Sequence, residues 1–113
     1  MAKGVSEHDE QVMFIKAFEE RWPEYRILAI PNGARTNSMQ QAAKLKREGL
    51  RAGVPDLFIP ALNVWVEMKT PHGKVSAEQQ DWIEYLNSIG HIVIVGYGAR
   101  DAFGKLLYFI EDK

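Results

Sequence analysis

The residues of this chain best placed to do chemistry are Asp56, Glu67 and Lys69. Asp56 precedes the apolar run Leu57-Phe58-Ile59, and Glu67-Met68-Lys69 closes the run Val64-Trp65-Val66. Both runs have the length and period of strands, and Pro60-Ala61-Leu62-Asn63 between them reads as the turn of a β-hairpin. If that turn leaves Ile59 opposite Val64, Asp56 falls opposite Glu67. Directly opposed Cβ atoms on one face lie about 4.5–5.5 Å apart, and two like charges there destabilise a sheet unless something offsets them. A divalent cation would. Lys69 shares the face of Glu67, while Val64, Val66 and Met68 point the other way into a core.

Two carboxylates and an ammonium group at one spot have a definite use. Mg²⁺ takes oxygen ligands and keeps several waters, so Asp56, Glu67 and the backbone carbonyl of Met68 can seat it beside a phosphate. The metal acidifies a bound water and neutralises charge developing on phosphorus, while Lys69 can orient or deprotonate the attacking water. The reaction this points to is hydrolysis of a phosphodiester. An acid-x-Lys triple alone says little, and the chain holds another in Glu111-Asp112-Lys113. That one has no upstream Asp to pair with. The bland alternative for Glu67 and Lys69 is an ordinary ion pair on an exposed edge hairpin, which their setting among Val, Trp, Phe and Ile disfavours.

The elements that must hold this hairpin are legible as an alternation. Ser6 followed by Asp9 and Glu10 caps a helix over about residues 6–21, with Val12, Ile15, Phe18 and Trp22 at helical spacing and Pro23 beyond its end. Tyr25 to Ile30 reads as a strand stopped by the turn Pro31-Asn32-Gly33. Asn37-Ser38 opens a second helix through Met39, Ala42, Ala43 and Leu45, stopped at Gly49. After the hairpin, Ser76-Ala77-Glu78-Gln79 is a capping box launching a helix with an apolar stripe of Trp82, Ile83, Leu86 and Ile89. His91 to Val95 is the most continuous β-branched run, which predicts a central buried strand. Gly96-Tyr97-Gly98 lacks the third glycine of a phosphate-binding loop and reads as a turn before a last helix over Ala99 to Ile110. The order αβαββαβα implies an α/β fold, a mixed β-sheet flanked by helices on both faces.

Composition bounds the rest. The chain has 113 residues, 46% of them hydrophobic and 26% charged, which is the size of one globular domain spanning 1–113. It has no cysteine, so disulfides, thiolate metal sites and cysteine nucleophiles are excluded. His8, His72 and His91 have no spacing that suggests zinc. No apolar stretch approaches a membrane span and no leader is evident, so the expectation is a cytoplasmic protein. The net charge of −1 stands at odds with a nucleic-acid partner. It is a sum of unlike parts: between Gly33 and Pro55 stand Arg35, Lys44, Lys46, Arg47 and Arg51 against Glu48 alone, a segment of +4. Such a segment can grip backbone phosphates or be a solvated face, and Lys74 offers one more phosphate contact. Trp65 could stack on a base, but packing suits it better.

These residues resemble a known family. Gly53-Val54-Pro55-Asp56-Leu57 followed by Glu67-Met68-Lys69 is similar to the bipartite signature of the PD-(D/E)XK nucleases. The surrounding sequence resembles their VRR-NUC branch: Glu7-x-x-x-Gln11, Pro31-Asn32-Gly33, and Lys74-x-Ser76-x-Glu78-Gln79 after the lysine. The resemblance runs in order along nearly the whole chain. It implies a restriction-endonuclease-like fold and a stand-alone Mg²⁺- or Mn²⁺-dependent endonuclease of the viral and bacterial type. Such a protein acts on branched DNA like a Holliday-junction resolvase, in replication, repair or recombination, as a homodimer in a bacterial or virus-infected cell. It assigns Asp56 and Glu67 as metal ligands with the carbonyl of Met68, Lys69 as catalytic, Gln79 as lining the site, and Glu7 as approaching the metal from the first helix. Spacing on that helix does not separate Glu7 from Glu10, and either can simply favour the helix dipole; the resemblance prefers Glu7. Family members often carry a histidine just before Pro-Asn-Gly, where this chain has Ala29-Ile30. The alternatives are a sequence-specific restriction-type nuclease, for which no segment devoted to base recognition is evident, and an inactive DNA-binding module of the same fold.

Overall fold

The computed structural model describes residues 5–31 and 38–111. Its elements are α1 (Glu7–Arg21), β1 (Leu28–Ala29), α2 (Met39–Arg47), β2 (Leu57–Ile59), β3 (Val64–Lys69), α3 (Ala77–Ser88), β4 (Ile92–Tyr97) and α4 (Ala99–Glu111), with one 3₁₀ turn at Pro60–Leu62. This is the alternation read from sequence. The four strands lie in the order β1-β2-β3-β4, antiparallel except for the parallel pair β3–β4. A mixed sheet flanked by helices is the result.

The caps do what their residue types allow. Ser6 accepts from the Asp9 N–H at 3.0 Å and Ser38 from Gln41 at 3.1 Å. Ser76 accepts from Gln79 N–H at 3.1 Å while the Gln79 side-chain oxygen accepts from Ser76 N–H at 2.8 Å, a closed capping box. The hairpin turn is the 3₁₀ turn followed by Asn63 in the left-handed region, φ 53° and ψ 40°, where Asn is among the better-tolerated residues. It brings Ile59 opposite Val64 and Leu57 opposite Val66.

That register sorts β3 into two faces. Val64, Val66 and Met68, fully buried, join Leu57, Ile59 and Ile94 beneath Phe14, Phe18 and Trp22 of α1 and Ala102 and Leu106 of α4. Trp65, Glu67 and Lys69 face the other side, where α3 lies. Trp65 packs against Phe58, ring centroids 4.2 Å apart, and donates through Nε1 to His91 Nδ1 at 2.8 Å, so this residue is spent on packing.

Three expectations are corrected. β4 is an edge strand, with β2 and β3 the interior ones; of its β-branched run only Ile94 is buried, while Ile92 is exposed and Val93 and Val95 are half-buried. Part of its outer edge is covered from α4: Asp101 accepts from Tyr97 N–H at 2.9 Å and Lys105 Nζ donates to the Val95 carbonyl at 2.8 Å. Gly96-Tyr97-Gly98 is not one turn, because Gly96 and Tyr97 continue β4 and only Gly98 turns the chain. A Cβ on Gly96 would lie 2.3 Å from that of Ala102, so glycine lets α4 press on the strand. The first strand is only Leu28–Ala29, both exposed; ahead of it Tyr25 N–H is turned back to the Trp22 carbonyl, so the strand starts later than Tyr25. Asn32, Gly33, Arg35 and Asn37 lie outside the described residues. Among the described residues no helix is long and apolar enough to cross a membrane.

Candidate active site

The hairpin register carries one step past Leu57 and Val66 and sets Asp56 beside Glu67. Asp56 stands just before β2, its Oδ2 accepting from the Met68 N–H at 2.8 Å, a bond that ties the acid to the neighbouring strand. Glu67, 1% exposed, is among the most buried charged residues of the chain. Lys69 Nζ lies 3.4 Å from its Oε2. Gln79 Nε2 donates to the same oxygen at 3.0 Å. Gln79 therefore holds two places at once: its oxygen closes the capping box of α3 and its amide nitrogen grips Glu67. Asp56, Glu67 and Lys69 come together as the hairpin spacing predicts, and Gln79 joins them as the family resemblance implies.

Glu67 Oε1 is buried with no hydrogen-bond partner among the described residues. Leaving a carboxylate oxygen dry and unpaired costs on the order of 1–3 kcal/mol or more, so the arrangement is incomplete without a proton or a cation. The electrostatics agree. Burial, then the neighbouring charge of Asp56, push the Glu67 carboxyl up to about 8 against the pull of Lys69. Burial also raises Asp56, opposed by the Met68 N–H, and the charge of Glu7 raises both acids. Two oxygen donors that repel one another, one of them unpartnered, fit a hard divalent cation.

The two acids of α1 part company here. Glu10, 9% exposed, accepts from the Ala99 N–H at 2.7 Å and so caps the start of α4 across the sheet. Glu7 is exposed and acts on the pair through its field. Among the described residues no three His, Cys, Asp or Glu side chains converge as a metal cluster, so Glu7 lies outside the immediate pair.

The loop before Asp56 is positioned by Gly53. Its φ is +89°, and a Cβ there would lie 2.8 Å from the carbonyl carbon and oxygen of Glu78 in the first turn of α3. Glycine thus lets the Asp56 loop lie against the helix that carries Gln79. Gly53→Ala is expected to cost about 1–2 kcal/mol from the left-handed backbone alone, with the clash added. A lower midpoint in urea denaturation checks this, and an unchanged midpoint would count against the contact.

The basic segment is only partly assembled into a surface. Lys44, Lys46 and Arg47 are exposed in the last turn of α2, where they also suit the helix dipole. Arg51, by contrast, donates through Nη1 to the carbonyls of Lys46 at 2.8 Å and Leu50 at 3.1 Å, closing the end of α2. Sequence spacing alone did not show that role. Lys74 is exposed in the loop before α3.

Known proteins share this arrangement of elements. The VRR-NUC domain matches residues 6–100. A solved structure described as a VRR_NUC domain protein superposes with a TM-score of 0.79 at 24% identity, covering 96% of this chain and 91% of that one, a likeness of fold. No curated protein matches the chain.

Proposed function

The chain belongs to the VRR-NUC domain family, and from that membership and the Asp56–Glu67–Lys69 cluster we propose a divalent-metal-dependent endonuclease that hydrolyses phosphodiester bonds in branched DNA. The family consists generally of nucleases of the PD-(D/E)XK type, which use divalent metals and act on DNA. The observation that carries the reading is the buried, unpartnered Oε1 of Glu67 beside a second carboxylate.

In this reading Asp56 and Glu67 would hold Mg²⁺ or Mn²⁺, with the Met68 carbonyl as a further donor and Glu7 approaching the ion from α1. When bound, the ion supplies an acidified water and a positive charge against the phosphate. Met68 N–H fixes Asp56, and Gln79 fixes Glu67 in place. Lys69 lies beside Glu67 in the cluster; it orients the attacking water and stabilises the extra negative charge on the phosphate in the transition state. Cutting both strands of a junction needs two such sites, which a two-fold homodimer provides.

Incubation with Mg²⁺ or Mn²⁺ on matched linear, nicked, flap and four-way-junction DNAs tests the reading. Cleavage of the branched DNAs ahead of the linear one is expected; no cleavage of any would overturn it. Binding is carried by exposed cations of α2, with Arg35 and Lys74 adding phosphate contacts. Replacing Lys44, Lys46 and Arg47 together with Ala should weaken binding to all DNA sequences and flatten the dependence of log K on log salt by about 0.7–0.9 for each phosphate no longer neutralised. An unchanged slope would make this face ordinary solvated surface.

A further inference from the structure

A groove of about 350 Å³ lies between α2 and α3, lined by Ala42 and Leu45 on one side and Glu78 and Trp82 on the other, with exposed Lys46 and Arg51 also on its wall. Its presence follows from an unfinished packing. No residue of α2 is buried, so the apolar side of that helix faces the groove instead of a core. Trp82 is half-buried, and Tyr85 meets it at 90° with centroids 5.7 Å apart, steadying the indole.

The groove also has an address. Trp82 follows Gln79 by three residues of α3, about 4.5 Å along the axis, and Gln79 holds Glu67.

We propose that this groove takes an unpaired nucleobase of the DNA strand next to the one being cut, stacked on Trp82. The match is chemical. Trp82 with Ala42 and Leu45 offers flat apolar surface to a base face, and the Glu78 carboxylate accepts from an exocyclic amino group. Lys46 and its neighbours in the last turn of α2 meet the phosphates on either side. A fully paired duplex keeps its bases stacked on each other and has none to offer, so the groove selects DNA with flaps or frayed junctions. The proposal rests on the nuclease reading and deepens it by naming what in a branched substrate is recognised.

The test is binding of the full chain, in EDTA so that nothing is cut, to a duplex carrying a short flap, the same flap without bases, and a fully paired duplex. 2-Aminopurine in the flap reports stacking. The expected result is quenching of its fluorescence, with the flap bound about tenfold more tightly than either the abasic flap or the duplex. Trp82→Ala should abolish both the quenching and the preference while shifting duplex affinity less than about twofold, and Trp82→Phe should keep most of both. Equal affinity for abasic and normal flaps, or equal losses on flap and duplex in Trp82→Ala, would overturn the proposal. Cleavage with metal is scored separately. A chain that cuts without quenching refutes the groove alone, one that quenches without cutting refutes the nuclease reading alone, and one that does neither refutes both.

Discussion

Lys69→Ala is expected to lower single-turnover cleavage by about a hundredfold or more while leaving DNA binding within about twofold. The size follows from position. Lys69 is almost wholly buried, 3.4 Å from Glu67 Oε2, so water does not screen its charge at the reacting phosphate. The binding cations of α2 lie elsewhere and are untouched by the change. Lys69→Ala also removes a cation that both lowers the Glu67 carboxyl and repels an incoming dication, so metal affinity changes as well. Saturating Mn²⁺ separates the two effects: a rate defect that persists there belongs to the chemistry. Unchanged cleavage would remove Lys69 from the active site, and a wild-type chain that binds DNA but never cuts would favour an inactive binding module.

Metal binding and pH should be tightly linked through Glu67. Its carboxyl is pushed up to about 8 in the folded chain, mainly by burial and then by Asp56, while an unfolded chain releases the same proton near 4.5. The folded form therefore binds more protons across that window. Stability of the metal-free protein must fall as pH rises from about 5 towards 8, at up to about 1.4 kcal/mol per unit for one proton. Asp56, raised in the same direction, adds to the trend. A divalent cation displaces the Glu67 proton, so its affinity should climb by up to about tenfold per pH unit and level off near 8. Glu67→Gln weakens both behaviours: the melting temperature in EDTA should depend less on pH than that of the wild type and gain less from Mn²⁺, the remainder belonging to Asp56. Melting curves over this range with and without Mn²⁺ check the pair of expectations, and a wild-type protein whose EDTA melting temperature rises with pH would contradict them.

Much of this site was legible in the sequence because period-two alternation and turn length together determine register. With Ile59 opposite Val64, no other pairing of Asp56 was available than with Glu67. The capping box was legible for a similar reason, since its two bonds follow from residue types three apart. What was not legible depends on packing across elements. A β-branched run such as Ile92 to Val95 reads alike in a central and in an edge strand, so only the folded sheet distinguishes β4 as an edge. Glu7 and Glu10 are both first-turn acids locally, and only the arrival of Ala99 next to Glu10 separates them. Arg51 reads as a DNA contact from its charge, and only the folded chain shows that its Nη1 also closes α2 on the Lys46 and Leu50 carbonyls. Gln79 was placed at the site by family resemblance, but its double use by cap and carboxylate is a fact of how α3 lies on β3.

The central claim is that Asp56 and Glu67 seat a divalent ion that hydrolyses DNA, and cleavage of a four-way junction by wild type and Asp56→Asn, with Mg²⁺ or Mn²⁺ and with EDTA, tests it most directly. The expected result is cleavage by wild type only when metal is present, and at least about a hundredfold less by Asp56→Asn with either metal. Cleavage that survives EDTA, or an Asp56→Asn variant as fast as wild type, would contradict it.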